Sequence, residues 1–141
     1  MALATSTQVE AVAAELTGCA DVIHERLMKA IKRKEIERAD AQLIFQDEII
    51  LRQKANGLYI DAANCVVAEL AESQKSMMDT IGTAKQRLKN IKNIAMFIDL
   101  TADLIVLAAA ISAAKPPAIL AALKEIKKDS DDISQSTKQQ Q

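Results

Sequence analysis

The chain contains one histidine, His24, and this limits the metal and catalytic chemistry that its side chains can support. His24 and Glu25 begin like the helical motif of zinc proteases, but the residue four positions after His24 is Met28 and not a second histidine. Asp21 and His24 have the i, i+3 spacing of one half of a carboxylate-bridged di-iron site, whose other half needs another histidine. We therefore predict no metal site and no cofactor, with His24 at or near a helix surface.

The other reactive side chains also lack the partners that catalysis needs. Cys19 and Cys65 form no CxxC motif and lie within apolar helical patterns, which is typical of buried, reduced thiols. Asp47 and Glu48 are adjacent carboxylates, but acidic residues on a helix exterior are normally solvated and keep ordinary acidity. Three glycines spread over the whole chain cannot form a phosphate-binding loop. We predict no catalytic residues and expect that the protein is not an enzyme.

Two clusters of basic residues raise the question of nucleic acid or phospholipid binding. The formal net charge is −1, so no overall field attracts the chain to polyanions, and neither cluster contains aromatic residues for base stacking. Basic residues near helix ends commonly complement the helix dipole. Nucleic-acid binding is therefore disfavoured. The first cluster consists of Lys29, Lys32, Arg33, Lys34 and Arg38, and the second of Lys85, Arg87, Lys89 and Lys92.

Composition indicates the fold class. Half of the 141 residues are hydrophobic, but only 2% are aromatic, so the core must consist of aliphatic residues, most of which are good helix formers. The three glycines and two prolines are too few for several strands and hairpins. We predict an all-α protein, an up-and-down helical bundle with four long helices and a short C-terminal helix. Residues 1–127 form the single domain, and 128–141 a disordered polar tail.

The boundaries of the predicted helices rest on local signals of unequal strength. Thr7 and Glu10 have capping-box spacing, and Pro116 ends the apolar stretch that precedes it. A turn after Lys32 has no glycine or proline to mark it. Gly57 and Gly82 each match a helix C-terminus, although the apolar period continues across Gly82. The predicted helices are 8–32, 35–55, 59–80, 84–114 and 117–127.

The most apolar part of the chain, Ile94–Ala114, is long enough to cross a bilayer and contains two charged residues, Asp99 and Asp103. At helical spacing these two acids continue a face begun by three lysines, and beyond Asp103 the stretch is apolar on every side. Such a segment is covered by the rest of the fold, by a partner or by lipid. The predicted polar stripe consists of Lys85, Lys89, Lys92, Asp99 and Asp103.

Insertion of this segment as a lone membrane helix is disfavoured, because each central Asp costs about 2.5–3.5 kcal/mol and each large aliphatic residue returns about 0.3–0.6 kcal/mol. An alternative remains, since Pro116 and Pro117 join the segment to a second apolar helix. The layout of residues 94–123 is similar to the helical hairpin that helical pore-forming proteins insert, without a shared residue motif. The alternative function is accordingly a membrane-active helical protein.

The excess of apolar surface favours a non-catalytic module for protein–protein contact, of adaptor, chaperone-like or toxin-neutralising type, whose partner is another protein or further copies of the chain. The N-terminus has no basic segment before an apolar run, so we expect a cytoplasmic protein. The candidate residues for contact with a partner or membrane are Leu104, Ile105, Val106, Leu107, Ile111, Ile119, Leu120 and Leu123.

Overall fold

The computed structural model describes residues 1–139, with side chains as far as Ser136, and these residues form five α-helices and no strand. The prediction of an all-α protein is confirmed. A single turn of 3₁₀ helix, Ala62–Cys65, follows the second helix. The helices are α1 (Ser6–Lys32), α2 (Arg38–Ile60), α3 (Gln74–Lys89), α4 (Ile94–Ser112) and α5 (Pro116–Gln139).

The five helices pack as a closed ring around one hydrophobic core. Neighbours around the ring are α1, α2, α4, α5 and α3, with α3 returning to α1. Each helix contributes fully buried aliphatic residues to the centre, where Phe97 of α4 is the largest buried side chain. Every helix therefore has an inner face in the core and an outer face directed away from it.

The fifth helix differs most from the prediction. We expected a short helix followed by a disordered tail, but α5 has 24 residues and continues to Gln139. Ile133 is buried in the shared core, seven residues after the buried Ile126, and the small Ser130 lies between them. One isoleucine and one serine are a weak apolar signal in a polar segment. The last two residues, 140 and 141, lie outside the described part of the chain.

The structure also corrects two predicted breaks. Gly57 and Gly82 lie inside α2 and α3, and neither has a positive φ, so the expected helix ends are absent from both positions. The predicted helix 84–114 is instead divided between α3 and α4 at residues 90–93. There Asn93 caps α4, because its side-chain oxygen accepts a hydrogen bond from the Met96 N–H at 3.0 Å.

The predicted helix 59–80 is mostly absent because residues 66–73 bond to the N-terminus. The Val67 N–H donates to the Leu3 carbonyl, and the Ala2 N–H donates to the Glu72 carbonyl, each at 2.8 Å. Leu3 and Leu70 are fully buried, so this contact adds to the core. Hydrogen bonds between distant segments override a helical period here.

Two helices end in Schellman motifs that lack the usual glycine. Lys34 after α1 and Ala114 after α4 have positive φ values of 57° and 52°. The N–H groups of Lys34 and Glu35 donate to carbonyls of the last turn of α1, and α4 ends in the same pattern. The predicted turn after Lys32 is therefore confirmed, and so is the break before Pro116. Neither position carries the glycine that marks such ends in a sequence.

Candidate functional site

Most of the predicted contact residues lie inside this chain's own core. Ile105 and Leu120 are half-buried, and Val106 is the one exposed member of the set, with 56% of its surface accessible. The inner face of the ring therefore covers most of the surface that we assigned to a partner or to lipid. The buried members are Leu104, Leu107, Ile111, Ile119 and Leu123.

Among the described helices, α4 alone is long and apolar enough to span a membrane, and 44% of its apolar window is buried in the fold. The remaining residues of this window are half-buried or exposed. Val106 is the one large apolar side chain among the exposed residues of α4, which are Ala95, Asp99, Val106, Ala109 and Ser112. Core helices of soluble proteins have the same length and composition.

The predicted polar stripe is divided by the break between α3 and α4. Lys85 lies beside α1, where its Nζ is 2.8 Å from Oε1 of Glu15, and this bond raises the pKa of Lys85. Lys89 and Lys92 are exposed near the turn that follows α3. Asp99 is exposed on α4, and Asp103 is half-buried toward α5. The five residues therefore form no continuous face.

Asp103 belongs to an acidic cluster between α4 and α5. The side chains of this cluster are close together: one carboxylate oxygen from each of Asp103, Glu125 and Asp129 lies within 4.8 Å of the other two. Desolvation, a hydrogen bond with Asp129 and the neighbouring acids raise the pKa of Asp103 to about 8. The raised pKa favours the protonated form of Asp103, and a proton on this carboxyl group reduces the repulsion within the cluster.

Large exposed apolar side chains are concentrated on the outer face of α2. Large side chains that normally enter a core are 38–75% exposed here, and the exposed positions of α2 include no charged residue except Arg38 and Lys54. Polar residues on this face are amides. We call this surface the α2 face; it consists of Gln42, Leu43, Phe45, Gln46, Ile49, Ile50, Gln53, Asn56 and Ile60.

An apolar groove of about 430 Å³ adjoins the α2 face at the turn between α1 and α2. Met28 and Ile31 of α1 and Phe45 of α2 line its walls, and all three are at least 40% exposed. Lys34 and Arg38 stand among its lining residues and supply positive charge. At the opposite end of α2, Tyr59 and Ile60 are 57% and 75% exposed.

The inner edge of α2 is fixed to α1 by a charged network. Glu48 is buried, and its two oxygens lie 2.9 Å from Nδ1 of His24 and 2.9 Å from Nε of Arg52. Arg52 also donates from Nη1 to Asp21 at 2.7 Å, and its bonds to Glu48 and Asp21 raise its pKa. Asp21 and His24, the i, i+3 pair that we singled out, therefore both join this network, Asp21 through Arg52 and His24 through Glu48.

The two cysteines are free and buried. Burial and the nearby Glu15 carboxylate raise the pKa of Cys19 to about 12, and burial also raises the pKa of Cys65. Thiols of this kind are poor nucleophiles, because the thiolate is the reactive form.

The geometry defines an all-helical protein whose exposed apolar surface is concentrated on one helix. The chain matches no family model, no curated protein and no solved structure. Its functional assignment rests on the surfaces described above.

Proposed function

We propose that the protein is a non-catalytic interaction module that acts through the α2 face, and that the occupant of this face is a second copy of the same chain. The observation that carries the proposal is the pattern of exposure on α2. Large aliphatic and aromatic residues face solvent there with no exposed charge between Arg38 and Lys54. Contiguous apolar patches on soluble proteins commonly mark interaction sites.

The two ends of α2 present different apolar features. One end borders the apolar groove, and the other presents Tyr59 and Ile60. If two α2 helices pack antiparallel about a two-fold axis near Gln46, the Tyr59 and Ile60 side chains of each copy lie beside the groove of the other. The same symmetry places Leu43 against Ile50 of the second copy, so these two side chains cover each other.

The charges along α2 favour the same orientation. Asp40, Asp47 and Lys54 are spaced by seven residues and share one edge of the helix. In an antiparallel two-fold pair, equivalent edges meet, so Lys54 of one copy lies across from Asp40 of the other. Asp61, just beyond α2, falls near the basic residues at the groove, Lys34 and Arg38. In a parallel pair, each end of α2 would instead lie beside the same end of α2 in the second copy.

Cysteine cross-linking tests both the surface and the orientation. Gln46→Cys lies near the proposed axis and is expected to form an intermolecular disulfide under mild oxidation. Gln53→Cys serves as the matched control on the same face. In the antiparallel pair this cysteine lies about 21 Å along the helix axis from the equivalent cysteine of the second copy, so the variant remains monomeric on a non-reducing gel. The native Cys19 and Cys65 are buried, which limits background cross-linking.

Each outcome has a distinct meaning. Cross-linking at both positions indicates a parallel pair and contradicts the proposed orientation. If neither position cross-links and a photoreactive side chain at Gln46 captures a protein of different mass, the second copy is the wrong occupant. A photoreactive side chain at Gln46 that captures no protein in the cells that make this chain contradicts protein contact at the α2 face.

We also propose that the helical ring is an up-and-down bundle. Short connections at residues 33–37 and 113–115 support this proposal, because each joins two helices that are neighbours in the ring and connections of this length usually join antiparallel helices.

A membrane-active role is the second candidate, favoured by the length and apolar character of α4. It requires α4 and the start of α5 to leave the core as a hairpin. Leakage of dye-filled liposomes tests this role. Leakage that is abolished by Leu104→Asp and Asp99→Lys supports insertion, and leakage that persists in both variants contradicts it.

A further inference from the structure

The two basic clusters of the sequence, about sixty residues apart, meet at one end of the helical ring. The last turn of α1, the turn that follows it and the end of α3 surround a pocket of about 430 Å³. Five cationic side chains line the pocket and one carboxylate accompanies them, that of Glu35. The cationic side chains are Arg26, Lys29, Arg33, Lys89 and Lys92.

Arg26 is the unusual member of this group because it is 7% exposed. Its Nε donates to the carbonyl of Ile91 at 2.7 Å, and its Nη2 donates to Oε2 of Glu35 at 3.0 Å. These bonds fix the guanidinium between the two turns. Its third nitrogen, Nη1, is also buried and has no hydrogen-bond partner among the described residues. A buried charged donor without an acceptor is costly, so an unpaired Nη1 in a basic pocket indicates a place for an anion.

Complementation of helix dipoles does not account for this arrangement. Lys29 and Lys89 lie in the last turns of α1 and α3, where positive charge is favourable without any ligand. Arg26 stands further back in α1, and its guanidinium is committed to two turns and kept out of solvent. Dipole effects act at exposed helix ends and give no reason to bury an arginine with one nitrogen unpaired.

We infer that this pocket binds a compact, non-aromatic phosphate-bearing ligand that carries more than one negative charge. Four largely exposed cations would contact the phosphate oxygens, and Arg26 would supply a fixed donor at the base. The lining residues include no aromatic side chain, so a nucleobase has no surface on which to stack. Asn90 adds a neutral amide to the lining. This site is separate from the α2 face and does not depend on it.

Calorimetric titration with inorganic tripolyphosphate at physiological ionic strength tests the site. The variant Lys29→Gln/Lys89→Gln/Lys92→Gln is expected to bind at least tenfold more weakly than the unmodified chain. The matched control removes three exposed lysines elsewhere, Lys115→Gln/Lys124→Gln/Lys128→Gln, and is expected to bind within threefold of the unmodified chain. Equal weakening in both variants would show a diffuse field effect and overturn the inference, as would the absence of binding.

Nuclear magnetic resonance of the arginine side chains gives a readout that needs no variant of Arg26. The guanidinium signals of Arg26 are expected to shift on addition of tripolyphosphate, and those of Arg52, already bonded to Asp21 and Glu48, are expected to stay in place. Binding that leaves the Arg26 signals unchanged would overturn the assigned geometry.

Phosphatidylcholine vesicles doped with a bisphosphorylated phosphoinositide distinguish two sources of the same chemistry. Sedimentation of the protein with these vesicles, reversed by tripolyphosphate, identifies a lipid headgroup. Binding of tripolyphosphate without vesicle sedimentation identifies a soluble phosphate. An oligonucleotide that binds more tightly than tripolyphosphate, with equal loss in both triple variants, would contradict a compact ligand.

Discussion

Both α2 and α4 have an outer face without a second layer over it, but the two faces differ in the size of their side chains. Apart from Val106, the exposed side chains of α4 are small or charged, whereas α2 presents Leu43, Phe45, Ile49 and Ile60 to solvent. Burial of a large aliphatic or aromatic side chain contributes about 1.5–3 kcal/mol, far more than burial of an alanine methyl group. The more apolar helix therefore has the smaller capacity for binding, because its large residues are already in the core.

The sharpest contrast is expected between a buried residue of α4 and an exposed residue of α2. Leu104→Ala should lower the free energy of unfolding by about 2–5 kcal/mol, because it leaves a cavity in the core. Ile50→Ala, at a site 38% exposed, should lower it by less than about 1 kcal/mol. Urea denaturation at low protein concentration measures both. Similar losses would contradict the assignment of Ile50 to an outer face.

The second effect concerns the polar contact that holds α2 by its inner edge. Glu48→Gln should lower the free energy of unfolding by about 1–3 kcal/mol, since it removes the charge that pairs with Arg52 and leaves buried polar groups poorly matched. The partners are partly exposed, which places the expected loss below that of a fully buried pair.

Asp79→Asn is the matched control for Glu48→Gln, because the pair between Asp79 and Lys75 is exposed at both ends. Its expected effect is below about 0.5 kcal/mol. Equal effects of the two substitutions would show that the buried network adds nothing to the attachment of α2.

The third effect concerns the acidic edge of α4 and depends on pH. Asp103 has a raised pKa in the fold, so the folded state binds more protons than the unfolded state between about pH 4 and pH 8. Stability should therefore fall as pH rises through this window. Asp103→Asn should remove that fall and raise the free energy of unfolding near pH 8 by about 1–2 kcal/mol, after allowance for partial exposure. Thermal denaturation at several pH values measures it, and a pH-independent gain would exclude a proton-linked cause.

The smallest effect is expected at the end of α4. Ala114 has a φ of 52°, a conformation that costs a residue with a Cβ atom more than it costs glycine. Ala114→Gly should raise the free energy of unfolding by about 0.5–1 kcal/mol, whereas Ala113→Gly, at a residue with φ of −82°, should lower it. A loss in both variants would contradict the left-handed conformation of Ala114.

Much of the fold could be predicted from local chemistry, and the errors have physical causes. The all-α class follows from composition, and the break at Pro116 follows from a residue that cannot continue a helix. The predicted helix ends at Gly57 and Gly82 were wrong because glycine permits a helix end without requiring one. The end of α1 was harder to see, since Lys34 occupies a position where glycine is usual. Residues 66–73 depend on bonds to the N-terminus, which no local pattern contains.

The candidate surfaces were harder to predict than the fold. In α2 the adjacent pairs Leu43–Ile44 and Ile50–Leu51 fit one apolar stripe, yet Ile44 and Leu51 are buried while Leu43 and Ile50 are exposed. Neighbouring residues on a helix point about 100° apart, so such doubled positions signal a second apolar face. The phosphate pocket needs residues of α1 and α3 together, and the sequence presents them as two unrelated clusters.

We propose that the α2 face, and not the outer face of α4, joins two copies of the chain. Light scattering coupled to size-exclusion chromatography measures the molar mass of the unmodified protein, of Ile49→Asp on α2 and of Val106→Asp on α4. We expect twice the mass of one chain, 15.3 kDa, for the unmodified protein and for Val106→Asp, and the mass of one chain for Ile49→Asp. A monomeric unmodified protein, or a dimer that Val106→Asp dissociates and Ile49→Asp leaves intact, would contradict the claim.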